Sequence, residues 1–114
     1  MISKNSSIHT SAKIGKDVEI GDYCIIGENV EIGDNCKIHN SVCISGNTKI
    51  GKNNTFYPFC SIGSNPQDLK FKGEKSFLDI GDNNIFREYC NISLGTEHGG
   101  YKTIIGNYSL YMVG

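Results

Sequence analysis

Ile8-His9-Thr10-Ser11-Ala12-Lys13-Ile14-Gly15-Lys16-Asp17-Val18-Glu19-Ile20-Gly21-Asp22-Tyr23-Cys24-Ile25-Ile26-Gly27 opens a repeat with a period of six. Stepping by six from Ile8 gives Ile14, Ile20, Ile26, Ile32, Ile38, Ile44, Ile50, Phe56 and Ile62. The place after each lead residue is often glycine, as at Gly15, Gly21, Gly27, Gly33, Gly51 and Gly63. The fifth place carries mostly small or β-branched residues: Ala12, Val18, Cys24, Val30, Cys36, Val42, Thr48, Asn54, Cys60 and Pro66. Six matches neither the 3.6 period of a helix nor the period of two of a long strand. It matches a short strand followed by a corner. The fifth residue of one unit and the lead residue of the next are two apart, so in a strand both point to one side. The polar residues between them turn the chain. Asn29, Asn35, Asn47 and Asn53 share one corner place, and asparagine tolerates left-handed backbone. Three units make a triangular coil of 18 residues, and coils stack at about 4.8 Å with isoleucine ladders inside. The spacing predicts an all-β parallel solenoid and leaves its hand open.

With 114 residues and a net charge of −1, the chain has room for one domain and no basic surplus for nucleic acid. Its apolar runs are too short to span a bilayer. The polar stretch Met1–Ser7 has no signal-peptide core, which makes a cytoplasmic location the expectation. Of the five cysteines, Cys24, Cys36, Cys60 and Cys90 take the inward fifth place as small apolar fillers. Cys43 falls on the outward sixth place and is the thiol expected near solvent. Cys24 and Cys60 lie two coils apart, roughly 10 Å, too far for a disulfide. No pair has the CxxC spacing of a zinc site, so all five read as structural and reduced, with no metal.

The repeat breaks twice. After Ile62 the in-phase places hold Asp68 and Glu74, which do not belong unpaired in an apolar core. The pattern resumes at Ile80-Gly81-Asp82-Asn83. An excursion loop over about 64–77 is therefore expected. A second, over about 97–102, is expected at Glu97-His98-Gly99-Gly100-Tyr101-Lys102, before the pattern restarts at Ile105-Gly106-Asn107. Loops on a rigid scaffold are where binding groups concentrate.

The hexads resemble the hexapeptide-repeat acyltransferase superfamily, which implies a left-handed parallel β-helix. The order Ile8-His9-Thr10-Ser11-Ala12, Tyr57-Pro58-Phe59-Cys60-Ser61-Ile62-Gly63, Gln67-Asp68-Leu69-Lys70-Phe71-Lys72-Gly73-Glu74 and Ile80 to Glu88 is similar to a narrower family. That family is the acyl-[acyl-carrier-protein]–UDP-N-acetylglucosamine O-acyltransferases of lipid A biosynthesis; Gly95-Thr96, Gly99-Gly100 and Leu110-Tyr111-Met112 continue the likeness. The resemblance implies transfer of a 3-hydroxyacyl group from acyl carrier protein to the 3-hydroxyl of UDP-N-acetylglucosamine. It also implies a homotrimer and no cofactor.

On this likeness Gln67, Asp68 and Lys70 contact the UDP-sugar. Asp68 suits sugar hydroxyls, Gln67 donates and accepts, and Lys70 supplies a cation for an anionic ligand. Ser93 and Leu94 stand where the family carries a histidine and a basic residue. The family's general-base histidine falls beyond Gly114, so the chain corresponds to the front of such an enzyme: one domain, 1–114, truncated at its C-terminal end. An uncapped last coil exposes strand edges, and self-association is expected. His98, in the second excursion, is the local histidine nearest the expected site; His9 and His39 read as structural or solvated. Two other readings stay open: the same fold acylating an amino-sugar nucleotide, and a non-catalytic structural β-solenoid. The two loop insertions speak against the latter.

Overall fold

The structure, a computed structural model, describes residues 1–64, 76–94 and 102–112. Among them are fifteen short strands in three parallel sheets, which form the three walls of a left-handed parallel β-helix. The first wall stacks β1 (Ser7–Ile8), β4 (Ile25–Ile26), β7 (Cys43–Ile44), β10 (Ser61–Ser64) and β13 (Asn91–Ser93). The second stacks β2 (Lys13–Ile14), β5 (Glu31–Ile32), β8 (Asn47–Ile50), β11 (Phe77–Ile80) and β14 (Lys102–Ile105). The third stacks β3 (Glu19–Ile20), β6 (Lys37–Ile38), β9 (Thr55–Phe56), β12 (Ile85–Phe86) and β15 (Leu110–Tyr111). Each consecutive strand moves to the next wall, so every third strand pairs and lead residue stacks on lead residue. On the second wall Ile14 meets Ile32, Ile32 meets Ile50, Ile50 meets Ile80 and Ile80 meets Ile105. The restart at Ile105, out of phase in the sequence, is in register in space.

The corner chemistry explains the glycines. The Asp34 carboxylate accepts the Lys16 N–H of the coil below at 2.8 Å, and Asp82 does the same for Lys52 at 2.7 Å. A Cβ on Gly15 or Gly51 would collide with those carboxylate oxygens. Glycine is thus needed at the second place wherever the next coil puts Asp or Asn at the third. Where that third place is Pro58, the second place below it admits His39, whose ring stacks on Tyr57 at 4.8 Å.

The fourth place takes the left-handed backbone, at Asn29, Asn35, Asn53 and Asn83 as asparagine chemistry predicts. Tyr23, Phe59, Tyr89 and Tyr108 adopt it too, with rings held in solvent. Asn47 departs from the expectation. It begins β8, and Gly46, one residue earlier, takes the positive φ of 70°.

Inside, the three ladders of lead residues pack with the fifth-place residues into one core. Cys24, Cys36, Cys60 and Cys90 are buried there, and Cys43 on the first wall is half-buried. Each of the four buried thiols donates to a carbonyl of the neighbouring coil: His39, Gly51, Arg87 and Tyr111 in turn. Burial pushes all four thiols up, Cys60 from 9.0 to about 11. A raised thiol favours the protonated folded state. The unfolded chain therefore ionises first, and stability falls as pH rises from about 9 towards 11. For Cys60 the loss is at most about 3 kcal/mol. Urea midpoints at pH 8 and pH 10.5 should diverge for the natural chain and converge by that share in Cys60→Ala. Equal slopes in the two proteins would remove the thiol from the account.

Candidate functional site

The walls meet at three corners, and the irregularities gather at one of them. Lead residues normally recur every six positions, but from Ile62 to Ile80 the step is eighteen and from Ile92 to Ile105 it is thirteen. In both cases the chain leaves the first wall and rejoins the second. It departs from β10 at Ser64 and returns at β11 with Phe77; it departs from β13 and returns at β14 with Lys102. Two extra lengths of chain thus spring from one corner on consecutive coils. Gln67, Asp68 and Lys70 of the first, and His98 of the second, lie outside the described residues.

What the structure describes is the base of that corner. Gly63 sits at φ +78° inside β10, where the pairing with β13 shifts register between Ile62 and Ser64. A Cβ there would strike the Ser45 carbonyl and the Thr48 hydroxyl, which are themselves hydrogen-bonded at 2.7 Å. A Cβ on Gly46 would come within 2.7 Å of the Gly63 carbonyl and 2.9 Å of Leu94. Leu94 is buried, its N–H bonded to the Ser64 carbonyl at 2.9 Å. The place where the resemblance leads one to expect a basic side chain is therefore an apolar plug over Gly46. Ser93 beside it is half-buried. The Asn47 side chain donates to the Ser76 carbonyl at 3.0 Å and so ties the return of the first excursion to the coil below.

Outward from this corner runs the second wall, whose exposed places alternate in charge: Lys13, Glu31, Lys49 and Asp79, paired in register. A groove of about 460 Å³ lies on this face, lined by Asn29, Glu31, Asn47, Lys49, Phe77 and Asp79. Amide groups, two carboxylates and one ammonium suit a ligand rich in hydroxyls, and Phe77 offers an apolar side. Asn47, Lys49 and Asp79 had no motif to mark them. In the sequence Asn47 reads as a corner asparagine and Lys49 as an ordinary outward residue, and only Asp79 directly follows an excursion. The expected structural histidines are elsewhere. His9 accepts the Ser11 N–H at 3.1 Å within the entry turn, and His39 stacks on Tyr57 at the corner between the third and first walls. Among the described residues no group of three His, Cys, Asp or Glu side chains is arranged to hold a metal. No helix among them is long and apolar enough to cross a membrane.

Residues 2–67 match the family model described as GMPPB C-terminal domain, which stops inside the first excursion and so follows the regular hexads. Likeness to acyltransferases runs further. The chain is 52% identical over 112 residues to an acyl-[acyl-carrier-protein]–UDP-N-acetylglucosamine O-acyltransferase of Akkermansia muciniphila, covering 98% of this chain and 43% of that protein. It is 47% identical over 116 residues to the protein so named in Rickettsia prowazekii, covering 96% and 44%.

Among solved structures, LpxA from Bacteroides fragilis, a UDP-N-acetylglucosamine acyltransferase, superposes with a TM-score of 0.95 at 50% identity; the match covers all of this chain and 44% of that one. LpxA from Acinetobacter baumannii gives 0.93 at 46% identity, covering 96% and 42%. The chain spans less than half the length of these relatives. Because these matches, at 46–52% identity, cover 96% or more of the chain, it belongs to the acyl-[acyl-carrier-protein]–UDP-N-acetylglucosamine O-acyltransferase family.

Proposed function

We propose that this chain serves the transfer of a 3-hydroxyacyl group from acyl carrier protein to the 3-hydroxyl of UDP-N-acetylglucosamine, the first step of lipid A biosynthesis. The observation that carries this reading is identity of about 50% over nearly the whole chain with proteins named for that reaction. The sugar nucleotide binds at the corner between the first and second walls, with Gln67, Asp68 and Lys70 of the first excursion as its contacts. Asp68 suits sugar hydroxyls as an acceptor, and Lys70 supplies a cation for an anionic ligand. The enzyme works as a homotrimer in the cytoplasm and needs no cofactor, the acyl group arriving as a carrier-protein thioester. Its general base is a histidine of the family segment that follows position 114. General-base help of that kind is worth about 10²–10⁴ in rate.

Isothermal titration with UDP-N-acetylglucosamine tests the site without needing turnover. Asp68→Ala should weaken binding by roughly tenfold or more, the cost of a lost hydrogen bond to a charged acceptor. Unchanged affinity would remove Asp68 from the site. One observation keeps a second acceptor, an amino-sugar nucleotide, beside the first: the buried Leu94 and half-buried Ser93 leave this corner without a charged side chain, in the region that tunes the acceptor. Product analysis with paired hydroxyl and amine acceptors separates the two, since only the amine yields an alkali-stable amide.

A further inference from the structure

Cys60 and Cys90 look remote in the sequence, because the first excursion separates them. In space they occupy the same inward place on consecutive coils. The Ser61 N–H bonds to the Cys90 carbonyl at 2.9 Å, which seats one coil directly on the other at this point. The Cys60 thiol reaches up into the next corner, 3.0 Å from the Arg87 carbonyl and 3.6 Å from the Phe86 carbonyl. The Cys90 N–H converges on the same Arg87 carbonyl at 3.3 Å. The Cys60 thiol and the Cys90 backbone therefore meet at one turn, one side-chain rotation from sulfur–sulfur contact. Stacked neighbours in parallel strands are about 4.8 Å apart, inside the 4.4–6.8 Å Cα range of disulfides. No other cysteine has such a neighbour. Val42 separates Cys24 from Cys60, Cys36 lies between Val18 and Asn54, and Cys43 points outward.

We propose that Cys60 and Cys90 form a modification site: a buried dithiol that a two-electron oxidant of the azo or peroxide class converts to an intramolecular disulfide. Cys90, at 5% exposure against 2% for Cys60, is the more accessible of the two and supplies the attacking thiolate. With an azo oxidant, the Cys90 sulfur adds to one nitrogen of the N=N bond. The Cys60 sulfur then displaces it, forming S–S and breaking S–N. Two electrons and the two thiol protons leave with the reduced hydrazine. With peroxide the first product is a sulfenic acid, and the second step releases water. The Cys90 side chain rotates away from its present bond to the Tyr111 carbonyl to make this contact. The bridge staples the two coils from which both excursions spring, and closes a loop containing all of residues 65–75. It stands independently of the sugar-nucleotide reading.

The test uses the chain with Cys43→Ser, so that only buried thiols remain, treated with diamide. Because both sulfurs are nearly inaccessible, at 2% and 5% exposure, reaction is slower than at Cys43 of the natural chain. The expected product is about 2 Da lighter without intermolecular linkage, the peptides bearing Cys60 and Cys90 being joined and released by dithiothreitol. Closing this loop should raise the melting temperature by on the order of 10 °C. Cys43→Ser/Cys60→Ala should show neither change; alanine fits a place that holds valine one coil below. Retention of both thiols in the folded protein, under conditions that fully oxidise the urea-unfolded chain, would overturn the proposal. So would a bridge joining any other pair.

Discussion

Phe86→Ala should cost about 3–5 kcal/mol, the range for deleting a fully buried aromatic ring. Phe86 is wholly buried between the rings of Phe56, 4.6 Å away at 4°, and Tyr111, 5.0 Å away at 9°. The truncation leaves a cavity in a ladder that has no other element to collapse into it, because the coil's shape is fixed by its backbone bonds on both sides. It also removes both stacked contacts, each worth about 0.5–1.5 kcal/mol beyond area burial. By contrast, Ile38→Val on the same inner face should cost only about 0.5–1.5 kcal/mol. Domains of this kind hold about 5–15 kcal/mol in total, so the alanine variant loses about a fifth or more of what is available. Urea unfolding followed by far-ultraviolet circular dichroism measures both. A solenoid is held mainly by contacts between neighbouring coils. Loss confined to the end of the helix would therefore appear as a broadened transition, a lower m-value with a partly retained signal. A shift below about 1 kcal/mol would show that coils four and five do not share one packed core.

The walls were legible in the residues because a six-residue spacing of isoleucine has one economical solution, and Ile14, Ile32 and Ile50 stack as that spacing requires. The corners were legible in part. Asparagine at the fourth place marks left-handed backbone correctly at Asn29, Asn35 and Asn53, but the same conformation at Tyr23 and Phe59 is invisible to residue preference. Those rings are tolerated because they project outward from the corner, Tyr23 into solvent and Phe59 onto the stacked ring of Tyr89 at 5.3 Å. Asn47 misled because Gly46 beside it turns the chain more cheaply.

The candidate site was legible as a place and much less as a set of groups. Counting positions shows where the repeat breaks. Only three-dimensional register shows that both breaks fall at one corner, that Leu94 caps Gly46, and that Lys49 and Asp79 face one groove. The assignment of Gln67, Asp68 and Lys70 came from family likeness, since a glutamine, an aspartate and a lysine in a loop have no geometry of their own. The adjacency of Cys60 and Cys90 was hidden for a related reason: sequence distance across an excursion says nothing about coil number.

Asn54→Ala should cost about 2–6 kcal/mol, from two buried backbone groups left unpaired at about 1–3 kcal/mol each. The Asn54 side chain donates to the Gly81 carbonyl at 2.8 Å and accepts the Asn84 N–H at 2.8 Å. Asn84 repeats the pattern one coil on, donating to Gly106 at 2.7 Å and accepting from Ser109 at 2.9 Å. Both amides are fully buried in a row that begins with Val18 and Cys36. The row carries its own control. Cys36 keeps only the donor half of the arrangement, its thiol bonding the Gly51 carbonyl at 3.1 Å. Asn54→Cys should therefore satisfy the Gly81 carbonyl, leave only the Asn84 N–H unpaired, and cost less than alanine. Asn54→Asp keeps the acceptor but sets a carboxylate against that carbonyl, and should be the worst of the three at pH 7. Burial raises its pKa. Acidification then restores a donor, so the aspartate variant alone should gain stability relative to the natural chain as pH falls towards 4–5. If cysteine proves no milder than alanine and aspartate shows no such recovery, the ladder acts by volume, and the hydrogen bonds between coils carry no net stability.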